Sequence, residues 1–252
     1  MKNLLRGSFV LALLVAAGPA MAADLPVKAP YNAPLAAPAY DWSGFYVGAH
    51  VGSDWESFNG TGFHTDTGVI GSTFVGKFQN TFAGFQGGYN YIVAPHVLLG
   101  LETDVSRNNA GAWGLGTNDG SFGQGVLDWS GTVRGRVGYT ANNVLLYGTG
   151  GFAWSNLSLT RVQISGGNPG VPPATVDNVS TTRTGWTAGA GIEVGVMPDL
   201  TVKAEYRYID YSTFTVVLPL SNRTWVVGTR SEEVLLGANY KFSWGAPIAA
   251  RY

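Results

Sequence analysis

The 252-residue chain has 36 glycines, 13% aromatic residues, only 12% charged residues and a formal net charge of −1. That balance excludes a phosphate-neutralising nucleic-acid binder, which needs a basic excess. The absence of cysteine excludes disulfides, thiolate metal sites, cysteine nucleophiles and a lipidated N-terminal cysteine.

Residues 1–22 read as a cleaved signal peptide. Lys2 and Arg6 form the positive region, Phe9 to Ala17 the apolar stretch, and Ala20-Met21-Ala22 the cleavage site. Gly18-Pro19 interrupts the apolar run well before the ~20 residues that a spanning helix requires. The exported chain, without Lys2 and Arg6, is mildly acidic. Residues 23–40 are rich in proline and alanine and have no strand or helix period, which predicts an extended periplasmic lead-in.

From Trp42 onward the chain alternates with period two, the mark of strands whose two faces differ. The predicted strands lie near 43–53, 81–93, 96–107, 127–139, 143–155, 182–196, 199–211 and 231–242. Tight turns are predicted at 93–96, 140–143 and 197–200. Longer polar connections rich in Gly, Asn, Thr and Ser are predicted over roughly 54–79, 108–126, 158–180 and 212–230. This is the layout of an all-β protein, an eight-stranded antiparallel up-and-down transmembrane β-barrel over 41–242, with three short periplasmic turns and four long extracellular loops. Residues 243–252 form a C-terminal tail.

The two faces decide between a soluble and a membrane barrel. One face carries Glu102, Asp104, Asp128, Glu193 and Glu205 together with Arg134, Arg136, Lys203, Arg207 and Lys241. The opposite face carries Trp129, Tyr139, Trp186, Tyr206, Tyr208, Tyr240 and Phe242, rings too bulky to fill a narrow barrel. Near strand ends, such rings are the girdle of a lipid interface. Trp129 and Tyr139 are ten residues apart, and at a tilt of about 40° that projects to roughly 25 Å, the height of the apolar band. The charged face then lines the lumen. Five acids and five bases can pair there, and an eight-stranded barrel is narrow enough for side chains to fill. The expectation is a plugged barrel in the outer membrane, in contact with its lipid and lipopolysaccharide.

Several motifs resemble chemistry without its context. Gly71 to Lys77 mimics a phosphate-binding loop, but Phe78 stands where Ser or Thr is needed. His50, His64 and His96 lie in separate blocks without ligand spacing, and no serine partner for His50 or His64 is evident. No cofactor, metal or catalytic residue is implied. Asn59, Asn156, Asn178 and Asn222 open Asn-x-Ser/Thr triplets, which here mark exposed connections.

The segments DWSGFYVGAHVG (41–52), GGYNYIV (87–93), WSGTVRGRVGY (129–139), LLYGTGGFAW (145–154), GWTAGAGIEVG (185–195), AEYRYIDY (204–211) and LLGANYKF (235–242) resemble, in order, the OmpA-type, opacity-like outer-membrane surface proteins, often called porin-family or outer-membrane immunogenic proteins. The resemblance implies a barrel inserted by the barrel-assembly machinery. It also implies a role in envelope integrity, with loops that serve as antigen or adhesive surface toward host or surface ligands. A passive channel for small solutes is the alternative function, and a lipid-modifying enzyme a further one. Members of that family commonly end on an aromatic residue read during assembly. Here Phe242 closes the strand and ten residues follow, so Phe242 or Tyr252 can serve.

Overall fold

The structure, a computed structural model, describes residues 40–109, 113–116, 121–163 and 175–242. The signal peptide, the lead-in up to residue 39 and the tail 243–252 lie outside the described residues. Nine strand segments follow one another: β1 (Gly44–His64), β2 (Ile70–Ala94), β3 (Val97–Asn108), β4 (Trp113–Gly116), β5 (Ser121–Ala141), β6 (Val144–Gln163), β7 (Val176–Met197), β8 (Leu200–Leu218) and β9 (Arg223–Lys241). Apart from β3 and β4, each pairs antiparallel with the next, β9 pairs with β1, and β3 pairs with β5, which closes the sheet. β3 and β4 lie one after the other along β5, so eight positions surround the axis.

At one end the links are two-residue turns at 95–96, 142–143 and 198–199. His96 and Asn142 adopt φ of 66° and 52° there, and a short polar side chain such as asparagine tolerates that left-handed region best.

At the other end the strands correct the expected loops. β1 and β2 run 21 and 25 residues, whereas a tilted strand crosses the apolar core in about 9–11. The expected connection 54–79 is therefore mostly strand, with a turn only at 65–69, and 212–230 is strand except for 219–222. Strand also enters 108–126 and 158–180 from both sides. Polar composition signals a loop only when a stretch lacks alternation. Here alternation continues, with the polarity of the two faces exchanged.

Two β-bulges accompany the exchange, in β5 and β8, whereas the β1–β9 and β6–β7 ladders pass through it without a slip. In β5 the ladder slips between Leu127 and Ser130. Leu127 points inward before the slip, and Thr132, Arg134 and Arg136 point inward after it. In β8 it slips between Asp210 and Thr213. There Ser212 takes φ of 57° and its N–H is held by the Asp210 carboxylate at 2.9 Å. Ile209 and Tyr211 point inward on one side of the slip, Val216 and Leu218 on the other. An extra residue in one strand re-aims every side chain that follows.

Above the bulges the barrel divides. Among the described residues, β7 and β8 pair no further than Trp186 opposite Asp210, and β2 and β3 no further than Phe82 opposite Asn108. Among the same described residues, the upper parts of β8, β9, β1 and β2 stay paired with one another, and so do those of β4 to β7. Between them lies an apolar cluster of Phe58, Leu157, Leu159, Leu218, Trp225 and Val227 with their neighbours. On the outer surface of β6 and β7, Asn156 with Thr182, Ser158 with Ser180 and Thr160 with Asn178 are hydrogen-bonded cross-strand pairs. The lower half is thus apolar outside and charged inside. In the upper half the outer surface of β6 and β7 is polar and the interior is apolar at this cluster, with Arg161, Asp177 and Arg223 also buried.

Candidate functional site: the charged lumen

Arg134, on β5, is the hub of the lower lumen. Its guanidinium donates to Glu102 on β3 at 2.6 Å, to Asp104 at 3.3 Å, to Glu205 on β8 and to the Thr149 hydroxyl at 3.2 Å. Lys203 lies between the same two glutamates, 2.8 Å from Glu102 and 3.7 Å from Glu205. Tyr46 and Tyr147 donate phenolic O–H groups to Glu102 and Glu205 at 2.8 and 2.9 Å. Arg207 bridges Asp104, at 3.0 Å, and Glu233. Arg136 pairs with Glu193 and stacks 3.7 Å above the Tyr147 ring. Arg134 and Glu102 are each only 1% exposed. A burial of that depth is tolerated when each charge is met by opposite charge and hydrogen bonds.

Eight of the ten residues expected in the lumen meet in this network, and two do not. Asp128 sits in the β5 bulge, half-buried, with no ion pair among the described residues. Alternation placed it beside Ser130, but the slip between Leu127 and Ser130 removes it from that row. Lys241 stands at the turn end, where it meets Asp41 at 3.2 Å and the Tyr40 ring at 5.2 Å. Sequence reasoning missed Asp54, Glu56, Arg183 and Glu233, all buried. Glu233 is two residues before Leu235 on the inward row of β9, so its parity was available. Arg183, inside the expected strand 182–196, shares the inward parity of Thr187 and Glu193, whereas Asp54 and Glu56 were lost because the first strand was ended at 53.

Arg183 and Glu56 form a two-pronged pair across the barrel, one prong at 2.8 Å, with Thr229 accepting at 3.0 Å. The guanidinium lies 4.2 Å over the Tyr211 ring. This pair is the last charged layer beneath the apolar cluster.

The turn end is sealed differently. Trp42 is 4% exposed and packs with Leu98, Leu145 and Tyr147. Its indole N–H reaches the Asn142 carbonyl at 3.2 Å. Tyr40 rests on Trp42, ring centroids 4.6 Å apart, and lies where a Cβ on Gly195 would meet its ring at 2.5 Å. Residues 40–43 therefore cross the mouth as a strap. Burial, with Glu193, Asp199 and Asp41 nearby, pushes the Tyr40 phenol up to about 12.

His50 is buried in the lumen, its ring nitrogens 2.5 Å from the Gln86 carboxamide oxygen and 2.7 Å from the Ser106 hydroxyl. A serine partner therefore exists, which the spacing did not reveal. It is 1% exposed, within the charged packing. His64 ends β1, and His96 in its turn lies 2.8 Å from the Thr140 carbonyl. The phosphate-loop look-alike, Gly71 to Lys77, is part of strand β2.

Of the expected interface aromatics, Trp129, Trp186 and Tyr208 stand outward at the height where outward residues turn polar, and Trp55 joins them. Tyr139, Tyr240 and Phe242 stand outward near the turns, with Phe45, Tyr89 and Tyr91. Tyr206 is outward but nearer mid-crossing, opposite Ala190 and Val234. Between the two rings the outward residues include Val133, Val137, Ile192 and Val202. A closed barrel with an apolar waist, two aromatic rings and a charged interior is a transmembrane β-barrel of the outer-membrane type.

The chain belongs to the family described as the outer membrane protein beta-barrel domain, whose model matches residues 9–242. It is 34% identical over 251 residues to the 31 kDa outer-membrane immunogenic protein of Brucella melitensis biotype 1, covering 93% of this chain and 99% of that one. It is 32% identical over 234 residues to the 25 kDa outer-membrane immunogenic protein of Brucella canis, with 92% and 94% covered. The 22 kDa outer membrane protein of Rhizobium leguminosarum bv. viciae is 32% identical over 207 residues, with 81% and 80% covered. Among solved structures, Neisserial surface protein A aligns over 79% of this chain and 98% of its own, at a TM-score of 0.42 and 16% identity. The protein is an outer-membrane barrel.

Proposed function

We propose that the protein is a structural component of the outer-membrane surface, a barrel that contributes to envelope integrity and does not conduct. The observation that carries this reading is the placement of Arg134 among Glu102, Asp104 and Glu205, a buried set of paired charges that supports a filled lumen. The Trp42 strap below and the apolar cluster above support the same reading. The upper half, standing beyond the lipid, is the surface available as antigen or adhesive tip, in line with the name its Brucella relatives carry. Ser106 and His50 are enclosed by the lumen packing, which supports a structural rather than a lipid-modifying role.

The test is planar-bilayer recording of the refolded full-length protein. The expected record is a flat baseline. Steady porin-like steps that survive repurification would overturn the proposal and favour a channel for small solutes.

A further inference from the structure

The lipid-facing wall is not uniformly convex. A groove of about 800 Å³ crosses β9, β1, β2 and β3 just below the outer aromatic ring. Its floor is made of small outward residues, Ser53, Thr81 and Ala83, which the strand register sets side by side: Ser53 opposite Thr81 and, one step lower, Val51 opposite Ala83. Trp55 and Leu236, 45% and 61% exposed, form its walls. Its rim on β3 is Arg107, which lies opposite Ala83 and stacks 5.7 Å from the Trp129 ring centre.

Arg107 is an outward cation with no carboxylate partner among the described residues. That sets it apart from Arg230, whose guanidinium meets Asp210 at 3.2 Å. Its guanidinium lies over the Trp129 ring and so stands at the height of the outer aromatic ring, where lipid headgroups begin. Beside it the exposed Asn109 continues the rim, its backbone N–H bound to the Thr81 carbonyl at 2.8 Å. An apolar trough that ends in a cation and an amide fits an amphiphile with an acyl chain, a phosphate and hydroxyl-bearing sugars. A second dent, about 540 Å³ over Ala49, Ala204 and Ala238, is bordered outward by Ile192, Val194, Val202 and Leu236, without an outward charge. It has acyl-chain space only.

We propose that the groove binds one phosphorylated glycolipid of the outer leaflet, with an acyl chain over Ser53, Thr81 and Ala83 and a phosphate on Arg107. The occupant is a glycolipid because the rim offers an amide beside the cation, and because the groove opens at the end of the barrel where the strands rise beyond the membrane. The proposal rests on the barrel's place in the outer membrane and not on whether its lumen conducts.

The experiment is native mass spectrometry of the refolded full-length protein released from micelles that contain lipid A, or phosphatidylglycerol in a parallel arm. Wild type should retain one lipid A. Arg107→Gln, which removes one charge-assisted contact, should weaken retention about tenfold. Ala83→Leu, which fills the trough, should weaken it as well, and Ala204→Leu in the second dent should leave it unchanged. Heat-modifiable migration shows that each variant is folded. Because Arg107→Gln and Ala83→Leu test the site independently, one of them failing to fold leaves the other decisive. Retention by folded Arg107→Gln or Ala83→Leu equal to wild type would overturn the proposal. So would equal retention of phosphatidylglycerol, which would reduce the site to a general phosphate contact.

Discussion

Arg183 on β7 and Glu56 on β1 close on each other across the barrel axis, one prong at 2.8 Å, directly beneath Phe58, Leu157 and Trp225. The pair marks the boundary between the ionic and apolar parts of one continuous interior. Both side chains are almost wholly buried. Removing one partner strands the other, whereas removing both leaves no uncompensated charge.

Arg183→Gln should therefore cost about 3–5 kcal/mol, the range for a broken buried pair. The double variant Arg183→Met with Glu56→Gln should recover most of that loss. Urea unfolding of the refolded barrel, followed by tryptophan fluorescence, measures both. If the double variant is as unstable as the single one, the pair is not the source of the loss.

Arg134 offers a sharper comparison because it serves three carboxylates, while Arg136 serves Glu193. Arg134→Gln should destabilise more than Arg136→Gln, by at least about 1 kcal/mol, since more unmet charge remains buried. Replacing both should destabilise the barrel or open it, which unfolding midpoints and bilayer conductance together would register. Unchanged unfolding with zero conductance in the double variant would argue against a structural role for the network.

The upper half should behave as a water-soluble β-structure. Leu218→Ala, at a position with no exposure in the apolar cluster, should cost about 2–5 kcal/mol. It should also admit proteases to the strands beyond the aromatic ring. Ser158→Ala, on the outer surface, should stay within about 0.5 kcal/mol. Limited proteolysis of both variants in micelles distinguishes them.

Tyr40 gives a pH signature at the strap. Its phenol is pushed up to about 12 from an ordinary 10.0, so the folded mouth favours the neutral ring. The stabilisation that the strap draws from the neutral phenol is complete below pH ~10 and is lost as pH rises toward ~12. The difference in tyrosinate absorbance between wild type and Tyr40→Phe should thus appear only near the upper end of that window. A difference that develops fully around pH 10 would mean Tyr40 is not held in the mouth.

Much of the membrane-embedded part was legible because two-residue alternation needs no tertiary information. Arg134 and Arg136 could be placed in the lumen from Val133 and Val137 alone. What alternation cannot show is a slipped residue. Asp128 reads as a continuation of the Arg134 row, yet the bulge next to it resets the parity. The extent of the strands was hidden for a related reason. Asn156, Ser158 and Thr160 look like loop composition until their neighbours Leu157 and Leu159 are seen to face inward together. The contact of His50 with Ser106 joins residues 56 apart in sequence on β1 and β3, which only closure of the sheet brings within reach.

The exchange of polarity along the strands also sets a depth. Were the barrel to sink by two residues per strand, the Asn, Ser and Thr pairs of β6 and β7 would enter hydrocarbon. Were it to rise, Val133 and its neighbours would enter water. Either displacement is opposed on several strands at once, so the molecule is moored at a single height in the bilayer. That level is written where each outward row turns from apolar to polar, as on β6 between Phe152 and Asn156.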